Sequence, residues 1–202
     1  MIVYVESNFI LEVALKQEQS APAESIFKLA EGNKIELVYP AFALSEPFAT
    51  VMHRDRERIE LHQSLTKTLG QLRRSEPHKQ TILDLQPLLV ILKNAVNGEF
   101  DQLHSTVARL LRIGASIELD ESTLAQAKNY QVQFGLKPQD SIIYSTVIID
   151  VQRKPPSEAK CFISRDREAF STNPGIKSEL QAYNCRYIGS FKQGLDFIQH
   201  TL

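Results

Sequence analysis

The chain has 202 residues, 43% of them hydrophobic, which is enough to bury a core for one domain, or for one domain with an insertion. A formal net charge of -1 excludes a global field that would draw it to nucleic acid or membrane, so any polyanion binding needs a local patch. The longest apolar runs fall well short of the roughly 20 residues a membrane span requires.

The first residues already read as a strand and leave no room for a signal peptide. The expectation is a soluble, cytoplasmic protein with no membrane association. Its two cysteines, Cys161 and Cys185, are expected to be reduced core thiols.

Ile2 to Val5 is a short β-branched run that predicts a buried strand, with Ser7 and Asn8 as helix caps after it. Phe9 to Lys16 carries apolar residues at helical spacing. A second helix starts near Ser20-Ala21-Pro22 and stops at Gly32-Asn33. Ile35 to Tyr39 is the next strand. Pro40 opens a helix containing Glu46, in which Pro47 is an awkward neighbour.

From about 55 to 112 the pattern is helical, with Pro77, Pro87 and Gly98 as interruptions. This is too long for a simple crossover and predicts an inserted arm of two or three helices. Ser116 to Leu119 is a short strand, Asp120 caps a helix over Glu121 to Phe134, and Gly135 ends it. Pro138 opens a helix that Lys154-Pro155-Pro156 stops after Arg153. Strands at Cys161–Ile163 and Cys185–Ile188 follow, and Ser190 caps a last helix from Phe191 to His200. Strands alternating with helices predict an α/β fold with a mainly parallel sheet and helices on both faces, formed by residues 1–202 as a single domain.

Four acids stand out against this frame. Glu6 ends the first strand and Asp166 follows the Cys161 strand, at the carboxyl ends where open α/β sheets place ligands. Glu46 lies in the first helical turns after the second strand, and Asp140 opens an apolar helix. Each alone has a plain explanation: Asp140 complementing a helix dipole, Asp166 capping a turn, Glu46 on a solvated face. Glu6 is harder to dismiss, because a buried carboxylate is costly without a partner. A divalent cation is the usual compensation for gathered carboxylates.

Other constellations are weaker. His53, His62, His78, His104 and His200 have no metal-ligand spacing, and surface or packing roles are expected. Arg54, Arg56, Arg58, Lys67, Arg73, Arg74 and Lys79 form a basic run that suits either phosphates or a solvated helix face. There is no P-loop or dinucleotide fingerprint. An aspartyl-phosphate enzyme is disfavoured, since position 6 is Glu and position 8 is Asn.

The ordered acids resemble a family. Val3-Tyr4-Val5-Glu6-Ser7-Asn8 looks like the opening of the PIN-domain (VapC-like) ribonucleases, and Pro40 to Glu46 like their second acidic motif. Asp140-Ser141-Ile142-Ile143-Tyr144 resembles the third, and Phe162-Ile163-Ser164-Arg165-Asp166 with Phe170 the fourth. The resemblance skips the central arm. It implies a three-layer PIN-like fold and endonucleolytic cleavage of single-stranded RNA with Mg2+ or Mn2+. By the same resemblance Glu6, Glu46, Asp140 and Asp166 are the catalytic and metal-holding acids. Asn8 and Ser164 orient them through hydrogen bonds, and Glu168 is a further acid beside them. The partners implied are RNA and, for a toxin, an antitoxin protein; a homo-oligomer is also expected. Two departures stand out: Glu6 replaces the family's Asp, adding a methylene, and Pro47 follows Glu46 directly. The alternative reading is a PIN-like binding or assembly module with an impaired site.

Overall fold

Short β-branched and aromatic runs build five strands: β1 (Ile2–Val5), β2 (Glu36–Pro40), β3 (Ala115–Ile117), β4 (Lys160–Ile163) and β5 (Cys185–Ile188). They form one sheet in the order β3-β2-β1-β4-β5, and each neighbouring pair is parallel. Every residue of β1 and β4 is buried, as expected of central strands covered on both faces. The computed structural model describes the backbone of residues 1–202 and all side chains except those of His78, Lys79, Val96 and Asn97. The roles weighed above for His78 and Lys79 lie outside the described residues.

Alternation along the strands divides the core in two. Val3 and Val5 face one layer, made by α1 (Ser7–Ala14), α2 (Ser20–Glu31), α8 (Phe191–Thr201) and the bases of α3 (Ser45–Leu72) and α4 (Lys79–Ile113). Ile2 and Tyr4 face the other, made by α5 (Glu121–Phe134), α6 (Pro138–Arg153) and α7 (Pro174–Ala182). The fold is a three-layer α/β architecture, as the sequence predicts. From β1 the chain builds outward through β2 and β3, then returns to add β4 and β5 on the other side. The reversal point lies between β1 and β4, which is where doubly wound sheets open a crevice at their carboxyl edge.

Several predicted boundaries coincide with the structure. Asp120 caps α5, with its carboxylate accepting from Thr123 N–H at 2.7 Å, and Gly135 ends that helix at φ 67°. Other boundaries shift for identifiable reasons. Glu6, and not Ser7 or Asn8, is the N-cap of α1, so both predicted caps lie inside the first turn. A 3-10 turn over Ala41–Leu44 precedes α3. Pro47 is therefore the third residue of α3, where its missing N–H has no helical partner to lose. Helix α7 was not anticipated; Asn173 caps it, accepting from Gly175 N–H at 2.9 Å, with Pro174 at its first position. Ser190 donates to Gln19 Oε1 at 2.9 Å and makes no cap hydrogen bond of its own.

The segment predicted as an arm is two antiparallel helices that leave the core without a break. Pro77 falls in the connecting 3-10 turn, while Pro87 and Gly98 lie inside the 35 residues of α4 and do not end it. The C-terminal half of α4 belongs to the core, since Leu103, Val107 and Leu110 are buried there. Farther out, Leu83, Leu85, Leu88, Val90 and Ile91 are all exposed. Arg58 of the basic run is held by Asp55 and Glu99, and His104 packs against the rings of Phe48 and Phe100. Both cysteines are free and buried, and burial pushes the Cys185 thiol up to about 12. Among the described residues no helix is long and apolar enough to cross a membrane.

Lys160 opens β4 and is 1% exposed. Its Nζ donates to the carbonyls of Pro155, Glu158 and Tyr183 at 2.8, 3.1 and 3.2 Å, tying the turn before β4 to the end of α7. A methionine there keeps the bulk but deprives those carbonyls of this donor. Lys160→Met should therefore cost on the order of 3 kcal/mol in urea unfolding. A loss below about 1 kcal/mol would mean the carbonyls find other partners.

Candidate active site

The site begins with Glu6. As the residue after β1 and the cap of α1, it has extended backbone, and its side chain turns back over the first helical turn. Glu6 Oε2 accepts from Asn8 N–H at 2.9 Å and from Ser7 Oγ at 2.7 Å. The other oxygen, Oε1, is buried with no partner of good hydrogen-bond geometry. Burial pushes this carboxyl above the ordinary range. The Ser7 hydroxyl, the Asn8 N–H and the Ser164 hydroxyl pull it back, and the Glu46 charge adds to the rise.

Ser7 joins two of the acids. Its Oγ lies 2.7 Å from Glu6 Oε2 and 2.6 Å from Glu46 Oε2, although a hydroxyl carries one proton. The hydroxyl can donate to only one of these oxygens at a time, so it is shared between the two acids.

Asp166 caps the π-helical turn Arg167–Ser171. Its Oδ1 accepts from Ala169 N–H at 2.9 Å, and its own N–H donates to Ser164 Oγ at 3.0 Å. Asp140 sits in the first turn of α6. Its carboxyl is raised to about 6, first by burial, then by the charge of Asp166 and more weakly by Glu46, with Lys137 opposing. The four predicted acids therefore fall at one edge of the sheet and act on one another electrostatically.

The residues expected to orient them divide. Ser164 is fully buried between Glu6 and Asp166. Asn8 contributes its backbone N–H. Glu168 stands outside the cluster, 92% exposed and 3.9 Å from Lys137. With Asp140 and Lys137 it lines a cleft of about 260 Å3 that opens beside the acids.

As a donor set, four carboxylates with one orphaned oxygen suit a hard divalent cation. As the side chains stand, however, no group of three His, Cys, Asp or Glu among the described residues is placed to hold one. The acids are gathered but not closed around a common point.

Three participants were not read from the sequence. The bridging role of Ser7 needs the placement of α3 against α1, which only tertiary packing supplies. Tyr187 on β5 donates to Ser164 O at 3.0 Å and lies 3.4 Å from Asp166 O, so it braces the strand end that carries Asp166. Glu12 of α1 is fully buried and pairs with Arg165, the basic residue of the fourth motif, which also reaches Glu18 at 3.2 Å. Arg165 is thereby a strut between α1 and the end of β4. A buried acid at an otherwise apolar helix position was the available signal for it.

The Asp140 shift has a defined pH consequence. Its folded value of about 6 lies above the ordinary carboxyl value of 3.8, so the folded state binds the extra proton between those limits. Stability should thus be lost as pH rises through that window in metal-free protein. Asp140→Asn should recover about 1 kcal/mol at pH 7.5, after allowance for partial exposure, or roughly 2–4 °C in Tm, and nothing at pH 3.5. A lower Tm at pH 7.5 would show instead that Asp140 serves the α6 dipole.

No family model matches the chain, and no curated protein matches it by sequence. Among solved structures it is similar to the crystal structure of VapBC2 from Rickettsia felis bound to a DNA fragment from their promoter. The TM-score is 0.45 at 12% sequence identity, over 93% of this chain and 98% of that one. That degree of likeness decides neither fold nor chemistry.

Proposed function

We propose that this chain is a metal-dependent endoribonuclease acting on single-stranded RNA, with Glu6, Glu46, Asp140 and Asp166 holding Mg2+ or Mn2+. The observation that carries the reading is the gathering of these acids at the carboxyl edge of the sheet, with Asp140 raised first by burial and then by the charges of Asp166 and Glu46. When bound, the cation would supply a hydroxide-like water at neutral pH and stabilise charge on the phosphoryl oxygens. The protein's own part is positional. Ser7 fixes the spacing of Glu6 and Glu46, and Ser164 and Tyr187 hold the Asp166 backbone. The orphaned Glu6 Oε1 is the oxygen for which a cation would substitute a partner. An antitoxin partner, and a place as the toxin of a toxin–antitoxin pair, enter the proposal with the family resemblance alone.

One observation favours a second reading, a PIN-like binding module with an impaired site: no three described acids are close enough to share an ion. Cleavage separates the two. Purified protein should cut unstructured RNA with Mn2+ and stop on chelation. Glu6→Gln should abolish cutting, and Ser7→Ala should reduce it roughly 10–100-fold by loosening two carboxylates together. Glu6→Asp should also lower the rate, because the pocket is built around the longer side chain. If wild type is inactive and Glu6→Asp gains activity, the impaired module is correct. Cleavage that survives full chelation would exclude the metal mechanism.

A further inference from the structure

The open edge of β5 lies at the floor of a groove of about 800 Å3, with α7 and α8 contributing to its walls. Arg167, Lys177 and Arg186 line it, against a single carboxylate, Asp196. All three cations are exposed, and none is in an ion pair among the described residues. Elsewhere Arg58, Arg109, Lys154 and Arg165 are each tied to carboxylates. In a chain of net charge -1, unpaired cations collected in one groove form the local patch that polyanion binding needs.

Two further features fit a nucleic-acid strand. The Arg186 guanidinium lies 5.2 Å from the centre of the Phe197 ring, a flat cationic surface on which bases stack. Strand β5 is paired only with β4, through bonds such as Lys160 N–H to Asn184 O and Ser164 N–H to Ile188 O. The alternation of a parallel ladder then turns the Tyr187 N–H outward into the groove as a donor for a phosphate oxygen. The groove borders the loop that carries one of the acids, because Arg167 follows Asp166 directly in the chain and Tyr187 donates to Ser164 O and lies 3.4 Å from Asp166 O.

We infer that this groove is the track for single-stranded RNA, with Arg167, Lys177 and Arg186 contacting the phosphates on one side of the cleavage point. The inference rests on the nuclease reading for its substrate and direction, but its test stands apart from catalysis. Binding of a fluorescein-labelled uridine 12-mer is measured by anisotropy in EDTA, so that nothing is cut. Lys177→Gln/Arg186→Gln should weaken binding at least tenfold and lower the log–log salt slope by roughly 0.7 for each cation removed. Arg54→Gln/Arg56→Gln, on the arm, should stay within about twofold of wild type, and circular dichroism melts should show all variants folded.

If the groove variant binds as wild type does, the track is wrong. If it also cleaves with unchanged KM while wild type is an Mn2+-dependent nuclease, the track falls and the nuclease stands. If binding depends on the groove but no metal supports cleavage, the nuclease falls and the track stands. Polyglutamate displacing the RNA at matched charge concentration would overturn the assignment in favour of an acidic protein partner.

Discussion

Everything at the candidate site depends on placing a carboxylate, Glu6, at the buried end of the central strand. Ionised carboxylates are costly there, and the surroundings are arranged around that cost. An amide of the first turn of α1 and the Ser7 hydroxyl meet one oxygen, and the Ser7 hydroxyl is shared with Glu46. The remaining oxygen is left without a partner. An apolar residue at position 6 would remove the buried charge but also the cap of α1. Its retention is intelligible as a cost carried for binding, with the repulsion felt at Asp140 as a second instance.

The supports of the acids are built from the same elements that make the core. Glu12 and Arg165 tie α1 to the end of β4, and Tyr187 ties β5 to the loop after it. Lys160 fastens the opposite end of β4. Strand β4, which leads through Ser164 to Asp166, is therefore held at both ends by polar bonds as well as by packing. This suits a site whose geometry has to survive the charge gathered in it.

Much of the frame was legible because local signals and global layout agree. The Asp120 cap, the Gly135 stop, Pro138 at a helix start and the apolar strand runs each carry a mechanism that needs no tertiary context. The acids were legible by position, since strand ends and first helical turns converge at the carboxyl edge. What escaped depends on packing across the fold. Glu6 as cap hides behind better-known capping residues at 7 and 8. Pro87 suggests a break that α4 does not make. Helix α7 is too short for a clear apolar period. The groove along β5 is invisible in sequence, because Arg167, Lys177 and Arg186 come from three separate elements.

Helix α3 has a mechanical consequence. Glu46 is its second residue, and the helix is unbroken over its 28 residues to the hairpin's far end. A helix of that length is a rod of roughly 40 Å, so a tilt of about 5° at its base sweeps the far end by roughly 3–4 Å. The carboxylate sits beside the fulcrum, where the same tilt moves it only a small fraction of an ångström. The lever ratio favours the site: contacts made by the exposed apolar tip can be loose or variable while Glu46 keeps its distance to Ser7. A firm grip on the tip, conversely, works on that short hydrogen bond with a large mechanical advantage.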